Sequence, residues 1–420
     1  MKGKDSPLRG GRPRLAVIHP DLTVSGGSQA PAVWLAGAAV GGFRITLISS
    51  SEINLERLDR FYGTRLAGQD IATVTVPPAG WAKRVDALRG FRLERYCRKK
   101  ARDFDILVSA YNVMDFAKRG IQFIADFSFD DGLRRAFDAG PLGLQRFLYA
   151  RSPLRSIFLR LAARLAGRRE EGWKRNITIA NSSWTRNVLK RELGLESHVI
   201  YPPATGLFPD VPWTEKEDGF VVLGRIEPEK RLERILSILG RVRAAGFDVH
   251  VHILGTSGNQ AYIRSMESLC RDLGPWAVME GLVEGKDKCA MIARHKYGLS
   301  GRAFEPFGIA VAEMAKAGCL VWVPRGGGQA EIVGLPELIF ANDDDAVGKI
   351  VRMLAEAGLQ EDARRRLRAQ SARFSESRFV DEVRDLLTAF LKEMTQELGI
   401  PVGHLPPQAG VNLDSPGKRK

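Results

Sequence analysis

The sequence predicts an α/β protein made of two doubly wound halves facing a cleft. Short apolar runs alternate with helical patterns along most of its 420 residues. The runs are continuously apolar, as expected of parallel strands covered on both faces. A stretch at 204–218, with acids and prolines, separates one alternating set from a second and reads as an interdomain linker. At ~100–200 residues per domain, the length accommodates two or three domains. With 44% hydrophobic and 27% charged residues, the composition excludes a wholly disordered or collagen-like chain and a polytopic membrane protein.

The elements follow in order. RLAVIHP (14–20) reads as a buried strand. A Ser25-Gly26-Gly27-Ser28 loop leads into a helix over 29–40, with Pro31 in its first turn. FRITLIS (43–49), DILVSAY (105–111) and IQFIADFS (121–128) are further strands. Segment 141–175 interrupts the alternation with an amphipathic basic helical insert, in which Phe147, Leu154, Phe158 and Leu165 are interleaved with arginines. NITIANS (176–182) resumes as strand, WTRNVLKREL as helix and HVIYPP (198–203) as strand. The second set opens with GFVVLGR (219–225), then a helix over EPEKRLERILSILGRVRAAG with Pro228 in its first turn, then strand DVHVHILG (248–255). A long amphipathic helix is expected over 379–396. The expected domains are therefore 14–204 and 205–378, followed by that helix and a loose tail at 397–420; the first 13 residues also read as loose.

The net charge is +14, and its placement is informative. Residues 82–102 hold nine Lys/Arg against two acids, and residues 146–175 again nine against two. Each segment is thus +7, and the remainder balances to zero. Two readings stand: solvated helix faces, or a surface meeting an anionic partner such as lipid head groups or nucleic acid. The four cysteines (Cys97, Cys270, Cys289, Cys319) form no CxxC pair, which favours a reducing, cytoplasmic compartment over a disulfide framework. The N-terminus has no apolar core after its positive charges, so no secretory signal is expected.

Three stretches carry candidate chemistry. In Glu305-Pro-Phe-Gly-Ile-Ala-Val-Ala-Glu313 two carboxylates stand eight apart around a helix start near Phe307-Gly308. A phosphate can approach that helix N-terminus where Gly308 has no side chain. Glu305 would then lie beside whatever the phosphate carries, and Glu313 would reach a ribose; the alternative is a capping Glu and an exposed helical Glu. In Gly224-Arg225-Ile-Glu-Pro-Glu-Lys230-Arg231, Arg225 and Lys230 flank a strand-to-helix turn. They either close on a diphosphate or pair with Glu227 and Glu229. In Pro324-Arg-Gly-Gly-Gly-Gln-Ala-Glu331 the glycines allow close backbone approach to a ligand, or make a plain turn.

GRIEPEKR, EPFGIAVAE and PRGGGQAEIV, in that order and spacing, resemble the donor half of the GT-B glycosyltransferases of family 4, whose signature is the Glu-x7-Glu pattern. The resemblance implies two Rossmann-like domains, a nucleotide-sugar donor, retention of anomeric configuration and no bound metal. The final helix would return to the N-terminal domain. By motif, Arg225 and Lys230 neutralise the donor diphosphate and Glu313 holds the ribose. Glu305 and the Phe307-Gly308-Ile309 backbone hold the sugar and phosphate. Gly327, Gly328 and Gln329 line the sugar pocket. Leu282 and Val283 fall where the family seats the base, and Gly26 and Gly27 match its Gly-Gly loop. Many members place a His after the strand corresponding to IQFIADFS; here Asp126 stands near that position, either to accept a proton or bond the sugar, or to cap a turn. IANSSWTRNVL (179–189), after a basic insert, is similar to the lipid-linked oligosaccharide α-1,2-mannosyltransferases, which favours mannose and a lipid-linked or glycan acceptor. With the basic segments, this implies a cytoplasmic protein peripheral on an anionic membrane. A sugar-nucleotide 2-epimerase and a non-catalytic binding subunit share the layout and are the alternatives. No nucleic-acid motif or aromatic platform accompanies the basic charge, so no nucleic-acid partner is expected.

Three signals are discounted. Asp343-Asp344-Asp345 contains a D-x-D but precedes a helix, where N-capping is expected. His250 and His252 share one strand face, but no third ligand stands nearby in sequence, so they read as structural. His19, at the end of the first strand, is left without a role.

Overall fold

A computed structural model describes residues 11–23, 26–77, 86–137 and 171–397. Ser25, both tails and the insert through residue 170 lie outside these residues; its last part is a tight turn, Gly172–Arg175.

The first sheet contains β1 (Arg14–His19), β2 (Arg44–Ser49), β3 (Ile71–Thr75), β4 (Ile106–Ser109), β5 (Ile121–Ile124), β6 (Ile177–Ala180) and β7 (His198–Val199). Their order is β3-β2-β1-β4-β5-β6-β7, with every pairing parallel. The second contains β8 (Glu217–Leu223), β9 (His250–Leu254), β10 (Ala277–Gly281), β11 (His295–Leu299), β12 (Leu320–Pro324) and β13 (Ile339–Phe340). Its order is β10-β9-β8-β11-β12-β13, again all parallel. Winding reverses between β1 and β4 and between β8 and β11, the switch points where such sheets leave a crevice at their carboxyl ends. The apolar runs are the central strands: Val17 pairs with Leu47 and Val108, and all three are buried.

Each sheet has its own core. Phe220, Val251, Tyr297 and Trp322 lie in the second. Leu15, Ile45 and Val108 lie in the first, joined by Phe379, Val383, Leu387, Phe390 and Leu391 from the last helix, Glu376–Glu397. This helix thus returns to the N-terminal domain. It packs on helix Ala30–Ala39, where Arg384 Nε donates to the Ala38 carbonyl at 3.0 Å.

The helix expected after β8 differs in detail. Pro228–Lys230 is a short 3-10 turn, Arg231 has φ 56°, and the α-helix runs Leu232–Ala244. Lys230 therefore sits on a turn before the helix rather than within it.

The two chain crossings between domains lie side by side. Ala204 N donates to the Phe374 carbonyl at 2.8 Å, and Arg378 donates to the Tyr201 carbonyl at 2.5 Å. Next to them Glu331, of the second domain, accepts from Trp184 N at 2.6 Å, Ser183 N at 3.0 Å and Tyr201 OH at 2.8 Å. Ser182 caps helix Ser183–Leu193 through Thr185 N and also donates to the Pro306 carbonyl at 2.6 Å.

Candidate active site

A cleft of about 1360 Å³ lies between the domains, lined from both. His19, Gly26, Gly27, Tyr62, Tyr111 and Asp126 come from the first domain. Arg225, Lys230, Leu282, Val283, Lys288, Arg302, Glu305, Phe307, Gly308, Ile309, Glu313 and Gln329 come from the second.

Glu305 is the centre of a cationic group. Lys230 Nζ lies 2.8 Å from its Oε2 and Arg302 3.6 Å from the same oxygen. Burial alone would raise the Glu305 pKa, but Lys230, Arg302 and Arg225 outweigh it and hold it down at about 2. Arg225 is largely exposed, with Glu229 at 3.6 Å, and its charge is also felt at Tyr111 across the cleft. Beside Glu305, helix Ile309–Lys316 begins at Gly308, whose φ of 100° suits glycine, and has no side-chain cap. Its first N–H groups are those that an anion satisfies at a helix N-terminus. Helix entry is thus one to two residues later than Phe307.

Glu313 is buried in that helix. It receives Lys288 Nζ at 3.1 and 3.2 Å and Thr205 Oγ1 at 2.9 Å. A carboxylate has about four acceptor positions, so with these three contacts made, capacity for one further hydroxyl remains. Lys288 also lies over the Phe61 ring, 5.1 Å from its centroid. Leu282 is 60% exposed at the cleft, an uncovered apolar side chain suited to a flat ring.

The Gly-Gly loop reaches the other domain. A Cβ at Gly27 would meet the Ile309 side chain at 3.3 Å. Gly26 is held by Tyr62, whose hydroxyl donates to its carbonyl at 2.6 Å and accepts from its N–H at 3.0 Å. Asp126 accepts from Tyr111 OH at 2.7 Å, Asn112 Nδ2 at 2.7 Å and Ser128 N at 2.9 Å. It both closes a turn and presents at the cleft a carboxylate that accepts three hydrogen bonds. His19 is almost wholly buried in the lining. Its Nδ1 accepts from Asp21 N at 3.1 Å, and burial pushes its pKa down to about 4.

Two expected pocket residues do something else. Gly327 and Gly328 do not line the cleft; they pack beneath the Glu305 loop. A Cβ on Gly327 would lie 2.5 Å from the Glu305 carbonyl, and one on Gly328 2.2 Å from the Pro306 carbonyl. Gly328 N donates to the Glu305 carbonyl at 2.8 Å. Gln329 lines the cleft, but its amide is engaged with Ser300 Oγ at 2.8 Å and the Arg302 carbonyl at 2.6 Å. These three residues position Glu305 and Arg302.

Sequence reasoning missed Arg302, Lys288, Thr205 and Tyr62. Arg302 carried a signal, standing three residues before Glu305; the other three are brought in only by the fold. It also missed what surrounds His250 and His252. The fold sets His295 and Glu217 against them, so the absence of a third ligand holds in sequence but not in space.

Residues 206–373 match the family model of the glycosyl transferases group 1. Solved structures similar over the whole fold share the two-domain GT-B architecture. One is HepE from Anabaena in complex with UDP and glucose, with TM-score 0.64, 14% identity, and coverage of 90% of this chain and 100% of that one. WaaG, a glycosyltransferase involved in lipopolysaccharide biosynthesis, has TM-score 0.65, 15% identity, and coverage of 89% and 99%. Sucrose-phosphate synthase from Thermosynechococcus elongatus has TM-score 0.62, 14% identity, and coverage of 92% and 99%. No protein with a curated description matches the chain. The protein has the GT-B fold, and its second domain is similar to the group 1 glycosyl transferases. Among the described residues no helix is long and apolar enough to cross a membrane.

Proposed function

We propose that the protein transfers a hexose, with retention, from a nucleoside diphosphate sugar to a lipid-linked or glycan acceptor. The observation that carries this is the convergence of Lys230, Arg302 and Arg225 on one carboxylate beside an uncapped helix start. Two adjacent phosphates would take over these cations, each contact contributing ~1.5–3 kcal/mol as a charge-assisted hydrogen bond. The protein's own cations, rather than a metal, then stabilise the departing diphosphate. Glu313, with Lys288 and Thr205, holds the ribose, and the base lies against Leu282 and Val283.

The sugar lies between the Glu305 loop and the first domain. The reading is front-face attack within an ion pair, in which the leaving phosphate takes the acceptor proton and the cleft supplies orientation. Asp126, oriented by Tyr111 and Asn112, bonds the sugar or the acceptor hydroxyl. Mannose is the sugar favoured by the sequence; the UDP-glucose complex of HepE supports a UDP-linked donor as the other choice. The basic segments support a peripheral position on the cytoplasmic face of an anionic membrane.

The test is thermal-shift binding of GDP-mannose, UDP-glucose, UDP-N-acetylglucosamine and the free nucleotides. A ligand at 100 times its Kd stabilises by ~2.7 kcal/mol. One responding nucleotide supports the donor reading and fixes the base. Folded protein that responds to none of them counts against it.

A further inference from the structure

Glu217, His250, His252 and His295 meet at the starts of β8, β9 and β11, the ends opposite the strand termini that open on the cleft. Four ligand-competent atoms, one from each residue, lie within 4.8 Å of one another. Adjacency of the strands in the order β9-β8-β11 makes this possible. His250 stands edge to face with both other rings and His252 is tilted against His295, with centroids 4.9–5.4 Å apart.

Hydrogen bonding fixes which atoms are free to bind. His295 is wholly buried, and its Nδ1 lies 2.6 Å from the Met291 carbonyl. A carbonyl only accepts, so the proton is on Nδ1 and Nε2 carries a lone pair. That Nε2 is buried without a hydrogen-bond partner, and Glu217 Oε2 stands 3.6 Å away. Two acceptors thus face each other. The other Glu217 oxygen is taken by Arg294 at 3.3 Å, which leaves Oε2 toward the rings; His250 Nε2 is 3.1 Å from it. His252 Nδ1 lies 2.5 Å from Glu280 Oε1, the carboxylate–histidine pairing that orients metal-bound imidazoles. The backbone is shaped for the cluster too: a Cβ at Gly219 would fall 2.2 Å from His250 Nε2, so this ring lies over β8 only because residue 219 is glycine.

We propose that these four residues bind one divalent cation of the zinc type. Three imidazoles and a carboxylate match zinc, whereas magnesium and calcium prefer all-oxygen shells. Zn–N bonds of ~2.0–2.1 Å place tetrahedral ligands about 3.4 Å apart, so small side-chain rotations close the site. Four protein ligands leave no open position, so the ion is structural: it ties three strands together and cancels the acceptor–acceptor opposition at His295. This site is independent of the donor reading.

The experiment uses full-length protein without a histidine tag, stripped by a chelator and dialysed. Metal analysis after zinc reloading is expected to give one tightly held zinc per chain. Zn²⁺ is expected to raise the melting temperature while Mg²⁺ leaves it unchanged, and Co²⁺ to give a tetrahedral absorption band. Glu217→Gln and His252→Ala, both at partly exposed positions, should each weaken zinc binding at least ~10-fold. Glu280→Ala should weaken it ~10–100-fold while keeping one zinc per chain. A folded His250→Ala/His252→Ala double variant that binds as much zinc as the wild type overturns the proposal. So does an octahedral cobalt spectrum.

Discussion

At Lys230 an ammonium lies 2.8 Å from the Glu305 carboxylate, whose pKa is held at about 2, so this carboxylate is charged across the physiological range. Lys230→Ala and Arg225→Ala are each expected to lower turnover at least ~10-fold, the loss of one charge-assisted contact to the departing group. Full activity in both variants, measured as initial rates with the responding donor, would remove them from that role. His19 makes a different prediction, in pH. Burial lowers its pKa from 6.5 to about 4. The unfolded chain therefore binds a proton between these values that the folded protein refuses, so stability present above pH ~6.5 falls as pH drops toward ~4. His19→Gln should flatten that part of the stability curve in chemical denaturation. An unchanged slope would mean that His19 protonates without cost in the fold.

The Glu305 loop shows how an element is positioned from beneath. Gly328 has no room for a Cβ against the Pro306 carbonyl, so Gly328→Ala must push the loop outward. It is expected to cost ~2 kcal/mol or more and to reduce donor affinity together with melting temperature; tight donor binding in that variant would show that the loop adapts. Much at this scale was readable beforehand. Continuous apolar runs marked β1, β2, β4, β5, β6, β8 and β9, because parallel strands are buried on both faces. β3 escaped notice because it lies at the sheet edge, with IATVT half exposed and few apolar residues. The Glu305–Glu313 spacing, Lys230 and Gly308 were legible as local patterns around one turn. Lys288, Thr205 and Tyr62 were not, since each reaches the site through pairings far away in sequence. The same holds for the histidine cluster: residues 217, 250 and 295 become neighbours only because β8 lies between β9 and β11. The glycines at 327 and 328 were seen, but their direction was not; residue type shows that backbone comes close to something, not what it approaches.

For the whole molecule, the last helix is the main dependency. Phe390 is buried in the N-terminal core although it is separated in sequence from that domain by the entire second one. Phe390→Ala is expected to destabilise the first domain by ~3–5 kcal/mol. Hydrogen exchange across β1 and β2 is the measurement; protection unchanged there would mean that the helix docks without contributing. The charge distribution makes a second whole-molecule prediction. On helix Asp86–Lys100, Leu93 and Cys97 face the core while Arg92, Arg95, Lys99 and Lys100 are exposed. Arg151, Arg155 and Arg160 of the second basic segment lie outside the described residues. Reversing these three charges should release the protein from anionic vesicles in sedimentation; unchanged binding would exclude that segment as the membrane contact.

The clustering of the two chain crossings with Glu331 has a mechanical consequence. Every covalent link between the domains, and the carboxylate that accepts three hydrogen bonds from the opposite domain, sit at one margin of the cleft. Elsewhere between the domains, Ile309 packs against the first-domain core and Lys288 lies over the Phe61 ring. We expect the domains to separate by rotation about the Tyr201–Phe374 margin, and on the proposed donor reading nucleotide would leave through the lip farthest from it. Softening that pivot, as Glu331→Ala would, is expected to change the rate of product escape before it changes the bond-making step.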